Sequence, residues 1–188
     1  LASYTTGSYV EHPIVPDYIS YITQQFPHLY GMSLPVVMDC GNGATGAVIP
    51  ELIRAFNWSR VQVLYPEVDG DYPNHEADPV VEQNMADVKQ VLATTDCVVG
   101  IGFDGDGDRM AAMTKKGVLV PGDQMLALFS REYIAQHPGG SIVCDIKSSS
   151  GLLEIVKQWG GNAWLSPSGH SIIKRNMYEH KAGIGGEL

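Results

Sequence analysis

The chain has 188 residues, of which 44% are hydrophobic and 18% charged, a composition that excludes disorder and suffices for one ordinary domain or two small ones. Its formal charge of −9 argues against a nucleic-acid or anionic-membrane surface, which needs clustered Lys and Arg, but leaves room for a phosphorylated substrate held by a few placed cations. No apolar run approaches the roughly 18 residues of a membrane span, and the opening LASYTTGSYVEHP lacks the form of a signal peptide. Cys40, Cys97 and Cys144 each end an apolar run and read as buried strand cysteines, which suits a reducing, cytoplasmic compartment.

In chain order, Ile14 to Phe26 has helical spacing, with Ile14, Tyr18, Ile19 and Ile22 on one face. Leu34 to Cys40 reads as a strand, and Gly41 to Gly46 turns into a helix running to about Phe56. Val61 to Tyr65 is a second strand, followed by a polar loop from Pro66 to Pro79. Val80 to Leu92 is helical in spacing, and the unbroken apolar run Cys97 to Phe103 predicts a strand buried on both faces. After Asp104-Gly105-Asp106-Gly107-Asp108-Arg109, the segments Met110 to Thr114 and Val118 to Val120 form a hairpin around Lys115-Lys116-Gly117. Asp123 is placed to cap a helix through Gln136. A strand at Ser141 to Ile146, a helix at Ser150 to Trp159, a strand at Asn162 to Leu165 and a helix at Ser171 to His180 complete the pattern. The expected fold class is α/β, with a boundary near Gly117 to Pro121 and two related units, each a mixed sheet of about four strands sandwiched between helices.

The aspartate loop is the most informative feature. Glycine opens backbone angles closed to other residues, so carboxylates at i, i+2 and i+4 can curl towards one point. Three hard oxygen donors around a point suit Mg²⁺ or another hard divalent cation. Arg109 is available to offset their repulsion or to bind phosphate through its planar fork. A plain Asp/Gly turn between strands is the bland alternative. An EF-hand calcium loop fails, because its twelfth position is Lys115 and an apolar strand precedes it. A haloacid-dehalogenase phosphatase also places a DxD pair after a strand, but wants Thr or Val where this chain has Asp108.

GFDGDGDR after a buried strand resembles the metal-binding loop of the α-D-phosphohexomutases, the phosphomannomutase/phosphoglucomutase family. Asp39-Cys40-Gly41-Asn42-Gly43-Ala44-Thr45-Gly46 is similar to the opening of that family's second domain, and Tyr72-Pro73-Asn74-His75 with Asp78-Pro79 to its PNH…DP segment. Asp145-Ile146-Lys147 and Gly169-His170-Ser171-Ile172-Ile173-Lys174 resemble stretches of its third domain, and Gly186-Glu187-Leu188 the start of its GExS sugar-binding loop. The resemblance spans residues 10 to 188. It implies a linker at 1–12 from a missing first domain, a metal-binding domain at 13–118 and a truncated sugar-binding domain at 119–188. Neither a TxSHNP phosphoserine loop nor the phosphate-binding fourth domain is present, so the fragment alone is expected to lack mutase activity.

By that resemblance, Asp104, Asp106 and Asp108 hold Mg²⁺ and Arg109 stabilises the transferring phosphoryl group. A phosphoserine would interconvert hexose 1-phosphate and hexose 6-phosphate through a hexose 1,6-bisphosphate, in carbohydrate metabolism. Lys147 and His170 are implied as catalytic and substrate-contacting residues, with Gly169 and Glu187 as further substrate contacts. Taken alone, Lys147 reads as a solvated lysine, His170 as a surface histidine, and Glu187 carries no signal. Asn74 and His75 are as compatible with loop shaping as with an active site, and Gly41 to Gly46 reads as a structural turn. A non-catalytic module binding metal or sugar phosphate stands as the alternative outside enzymology.

Overall fold

A computed structural model describes residues 7–187; of the expected linker, residues 1–6 lie outside the described residues, as does Leu188. The chain divides into two compact units, the first ending at Val118 and the second starting at Leu119.

The first unit opens with α1 (Ile14–Gln25), whose first turn tolerates Pro16 because an N–H there has no helical partner. The apolar face expected of α1 is not buried, and Ile14, Tyr18 and Tyr21 are exposed among the described residues. The sheet has the order β2-β1-β3-β4-β5. Within it β1 (Val36–Asp39) runs parallel to both neighbours, β2 (Val61–Leu64) and β3 (Val99–Phe103), with Val36 opposite both Val61 and Val99. β4 (Met110–Thr114) returns antiparallel to β3, and the two-residue β5 (Leu119–Val120), just past the boundary at Val118, ends the sheet order.

β3 is not buried on both faces as its sequence suggested. Gly100 and Gly102 are buried, while Val99, Ile101 and Phe103 on the opposite face are half-buried. The glycines let α3 (Ala86–Thr94) and the turn before it lie directly on the strand. A Cβ at Gly100 would stand 2.2 Å from Val88, and one at Gly102 would stand 2.4 Å from the Met85 sulfur.

Two expected helices are shorter than their apolar spacing. The segment after Gly41 forms a 3₁₀ turn, Ala44–Ala47, and only then α2 (Ile49–Ala55), because Pro50 has no N–H to continue a helix from Gly46. Likewise Val80 and Val81 lie before the 3₁₀ turn Glu82–Met85. The N–H groups of Val80 and Val81 and the Asn84 side chain all bond Asp78, which spends them on a turn.

The second unit contains α4 (Gly122–Gln136), β6 (Ser141–Asp145), α5 (Ser150–Gln158), β7 (Asn162–Ser166), α6 (His170–His180) and β8 (Ile184–Gly186). Its sheet, ordered β7-β6-β8, is parallel throughout and has three strands instead of a mixed four, and the sequence did not suggest β8. Gly185 turns towards Met177 of α6 and Gly186 towards Leu126 of α4, so helices cover both faces. Leu126, Ile134, Ile142, Cys144, Leu152 and Val156 form the core on the α4–α5 side. Asp123 does not cap α4; Pro121 holds that position. The Asp123 carboxylate instead takes the hydroxyl and the N–H of Ser149, which hold its pKa below the usual range.

All three cysteines are buried and unpaired, and no described helix is long and apolar enough to cross a membrane. Leu92, fully buried where α3 meets β3, tests the first unit's core. Leu92→Ala should cost about 2–5 kcal/mol in urea unfolding, and a loss below about 1 kcal/mol would show that α3 does not pack as described.

Candidate functional site

Because β1, β2 and β3 are parallel, the residues at their C-terminal ends gather along one edge of the first sheet. Asp39 ends β1, Tyr65 follows β2 and Asp104 follows β3. Asp104 is 1% exposed, and Arg109 supplies both its oxygens: the backbone N–H donates to Oδ1 at 3.0 Å and the guanidinium Nε–H to Oδ2 at 2.7 Å. Two backbone bonds, Asp104 N–H to the Arg109 carbonyl and Gly107 N–H to the Asp104 carbonyl, both 3.2 Å, close the loop on itself. Gly107 makes the turn at φ +79°.

Asp106 and Asp108 project into solvent, yet one oxygen from each of the three carboxylates lies within 4.8 Å of the others. Burial pushes the Asp104 carboxyl up, but its bonds to Arg109 outweigh burial and leave its pKa below the usual carboxylate range. Asp108 moves the other way, raised chiefly by repulsion from Asp106. Three convergent hard oxygens, two of them on exposed side chains, have the chemistry of a site for a hard divalent cation such as Mg²⁺.

Two other loops seat this one. A Cβ at Gly43 would fall 2.8 Å from the Gly105 carbonyl oxygen, and the Ala44 N–H donates to that oxygen at 2.9 Å. The turn at 41–46 is therefore structural: it is the floor on which the aspartate loop rests. From the other side the Tyr72 hydroxyl crowds Gly105, leaving 2.5 Å to a Cβ there. Between the loop that carries Tyr72 and the aspartate loop opens a pocket of about 420 Å³, lined by Tyr72, Glu76, Asp78, Asp104, Asp106 and Arg109 among others. Arg109 also comes within 3.9 Å of Asp78 and 3.8 Å of Asp108.

The loop carrying Tyr72 is anchored through buried polar contacts. Asp39, 1% exposed, accepts the Gly41 N–H at 2.8 Å and faces His75 Nε2 at 3.1 Å. His75 Nδ1 lies 2.9 Å from the Glu76 carbonyl oxygen, which only accepts, so that nitrogen carries a proton. The Asn74 amide donates to Asn42 Oδ1 at 2.8 Å. Burial raises the Asp39 carboxyl despite these donors. Asn74 and His75 thus shape the loop, and the sequence did not single out Asp39 as their anchor.

In the second unit the candidates also lie at strand ends. Asp145, buried at the end of β6, accepts the Lys147 N–H at 2.9 Å and the Ser168 hydroxyl at 3.0 Å, and the Lys147 ammonium stands 3.3 Å away. His170 is the first residue of α6 and is exposed. Gly169 before it adopts φ +119°, and its N–H donates to Glu187 Oε1 at 2.9 Å. Lys147 is thus tied to Asp145, and Glu187 to Gly169. Sequence reasoning did not single out Asp145 or Ser168 as candidates; the aspartate that ends an apolar strand was the available signal. A larger concavity, about 630 Å³, lies at the C-terminal end of α6 by Met177, Tyr178 and Lys181, and holds none of these residues.

Family models match both units: phosphoglucomutase/phosphomannomutase alpha/beta/alpha domain II over residues 16–117, and domain III over residues 121–188. The chain is 36% identical to a phosphomannomutase/phosphoglucomutase of Pseudomonas aeruginosa, over 97% of its own length and 39% of that protein. It is 36% identical to a phosphoglucomutase of Neisseria gonorrhoeae, over 81% of its length and 33% of the other. A crystal structure of a phosphoglucomutase/phosphomannomutase family protein from Burkholderia thailandensis superposes with a TM-score of 0.90 at 33% identity, covering 97% of this chain and 39% of that one. The chain therefore spans about two fifths of the length of such relatives.

The repulsion between Asp106 and Asp108 is measurable directly. In a carboxyl-carbon NMR titration, Asp108 should protonate above the ordinary aspartate value of about 3.9 and Asp104 below it. Since the carboxylate is the ligand form, Mg²⁺ affinity should fall as pH drops through the Asp108 transition. Asp106→Asn should return Asp108 towards the ordinary range; an unmoved Asp108 would refute the proximity of the two side chains.

Proposed function

The chain belongs to the phosphoglucomutase/phosphomannomutase family, and on that premise we propose that it supplies the metal-binding and sugar-binding parts of a Mg²⁺-dependent phosphohexomutase. Residues 13–118 form the metal-binding domain and 119–188 the sugar-binding domain. The observation that carries the reading is the convergence of Asp104, Asp106 and Asp108 at the end of the central parallel strands, with Arg109 locked beside them. Family membership across both units displaces the phosphatase alternative.

The proposed reaction interconverts hexose 1-phosphate and hexose 6-phosphate through a hexose 1,6-bisphosphate. A phosphoserine outside this chain gives its phosphoryl group to a sugar hydroxyl; one P–O bond breaks, another forms, and the hydroxyl proton passes to a base. The bisphosphate then returns its other phosphoryl group to the serine. When bound, Mg²⁺ acts as a Lewis acid on the phosphoryl oxygens. Arg109 carries the complementary charge at the rim of the pocket, bonded to Asp104 through Nε and more than half exposed, so its guanidinium is within reach of the same phosphoryl oxygens.

In the second domain, His170 at the N-terminal end of α6 stands where anions are favoured and where a neutral imidazole can accept a hydroxyl proton. Lys147 contributes a cation for a substrate phosphate. Glu187, steadied by the Gly169 N–H, accepts from paired sugar hydroxyls.

The test is a coupled assay on the full-length protein with Mg²⁺ and a trace of hexose 1,6-bisphosphate, offering glucose, mannose and glucosamine 1-phosphates separately. Conversion to the 6-phosphate is expected, and Asp106→Asn should lower turnover about 10²–10³-fold, the scale of losing one preorganised electrostatic contact. Release of inorganic phosphate without isomerisation would sink the proposal.

A further inference from the structure

Arg109 presents the aspartate site with a conflict. Its guanidinium holds Asp104 Oδ2 at 2.7 Å and its backbone N–H holds Oδ1, so the best-fixed of the three carboxylates is already engaged. A divalent cation at the trio draws on the same oxygens and repels the guanidinium. Until a phosphoryl group is in place, Arg109 then needs another anion within reach, or its charge stands against the cation it should assist.

We infer that Asp78 is that anion: a positioning residue that takes the Arg109 guanidinium when Asp104 turns to a cation. The inference rests on reading the trio as a divalent-cation site. Among the described residues, Arg109 pairs with Asp104, Asp108 and Asp78, and of these only Asp78 lies outside the aspartate loop. Its Oδ1 is 3.9 Å from Arg109 Nη1, a short side-chain movement from a hydrogen bond.

Asp78 is also rigidly placed. Its Oδ1 accepts the Val80 N–H at 3.3 Å, and its carbonyl accepts from the Asn84 amide at 3.0 Å. The following Pro79 is buried against β3, where a Cβ on Gly102 would come within 3.0 Å of it. Asp78 thus holds its position relative to the strand that carries Asp104, while Arg109, 59% exposed at its side chain, is the partner able to move. Glu76 lines the same pocket with the same charge but has no described pairing with Arg109, which makes it the control for a general field effect.

Mg²⁺ is titrated calorimetrically into the wild-type protein and its variants. Asp78→Asn keeps an acceptor for the Val80 N–H and should bind Mg²⁺ about fivefold to twentyfold more weakly, the size of a contact coupling. Glu76→Gln should stay within about twofold of wild type. In an Arg109→Ala background, Asp78→Asn should add no more than about a twofold change, because Asp78 acts through Arg109. Asp78→Glu, which retains the charge but shifts the Val80 acceptor, should keep most of the affinity. Equal losses from Asp78→Asn and Glu76→Gln would overturn the inference, as would an Asp78→Asn loss undiminished without Arg109. So would an Asp78→Glu loss as large as that of Asp78→Asn, which assigns the residue to the turn alone. A wild-type protein silent to Mg²⁺ would instead remove the cation-site reading on which all of this rests.

Discussion

The organising constraint is a carboxylate buried at the end of a strand. An ionised group out of water is costly unless donors surround it, and three aspartates here meet that cost in the same way. Asp39, Asp104 and Asp145 are each 1% exposed or less, and each accepts a backbone N–H from the adjoining loop: Gly41, Arg109 and Lys147 respectively. Each also has a side-chain donor at hand, in His75, Arg109 and Ser168. The buried charge thereby dictates the loop: the chain must curl back at once to supply its amide. Satisfying one carboxylate sets the path of the candidate site residues that follow it.

That device is shared by both units. Val36-Val37-Met38-Asp39 and Ile142-Val143-Cys144-Asp145 are buried parallel strands ending in a buried aspartate, each flanked by two parallel neighbours. A buried thiol accompanies each aspartate: Cys40 just after Asp39, pushed up to about 11 by burial, and Cys144 just before Asp145, also raised. Such thiols stay protonated and serve as packing, not as nucleophiles. The two units diverge in the loop beyond the strand. One runs through glycines onto a neighbouring loop, and the other presents Lys147.

Local chemistry was legible in the sequence; long-range pairing was not. The aspartate loop could be read because its three carboxylates and their glycines are contiguous, so spacing alone implies convergence. The strands β1, β2 and β6 were visible in their apolar runs to within two residues at either end. The Asp39–His75 contact spans 36 residues, and the Ser168–Asp145 contact 23, so nothing local announces either. Helix starts failed where a side chain or proline outbid periodicity: Asp78 captured the amides of Val80 and Val81, and Pro50 split the segment after Gly41. Asp123 has the residue type of a cap but bonds Ser149, a choice set by tertiary structure. β8 is three residues long, two of them glycine, and carries almost no strand propensity of its own.

Glycine explains how a loop made of charges becomes precise. Two exposed aspartates have few contacts, so their positions must come from the backbone beneath them. Gly43 lets one loop touch the Gly105 carbonyl, Gly105 admits the Tyr72 hydroxyl, and Gly102 admits Pro79 two residues upstream of Asp104. At each place a methyl group would force backbone or ring apart by tenths of an ångström or more. Fixed in this way, three carboxylates and one guanidinium amount to a net charge of −2 within one small volume (−3 from the aspartates, +1 from Arg109). The repulsion that raises Asp108 is what remains of that imbalance. With Asp78 beside the same guanidinium and Glu76 lining the same pocket, the surroundings stay acidic, a charge that suits a divalent cation better than a monovalent one. The single arginine, tied at one end to the most buried aspartate, sets the charge that the loop can accept.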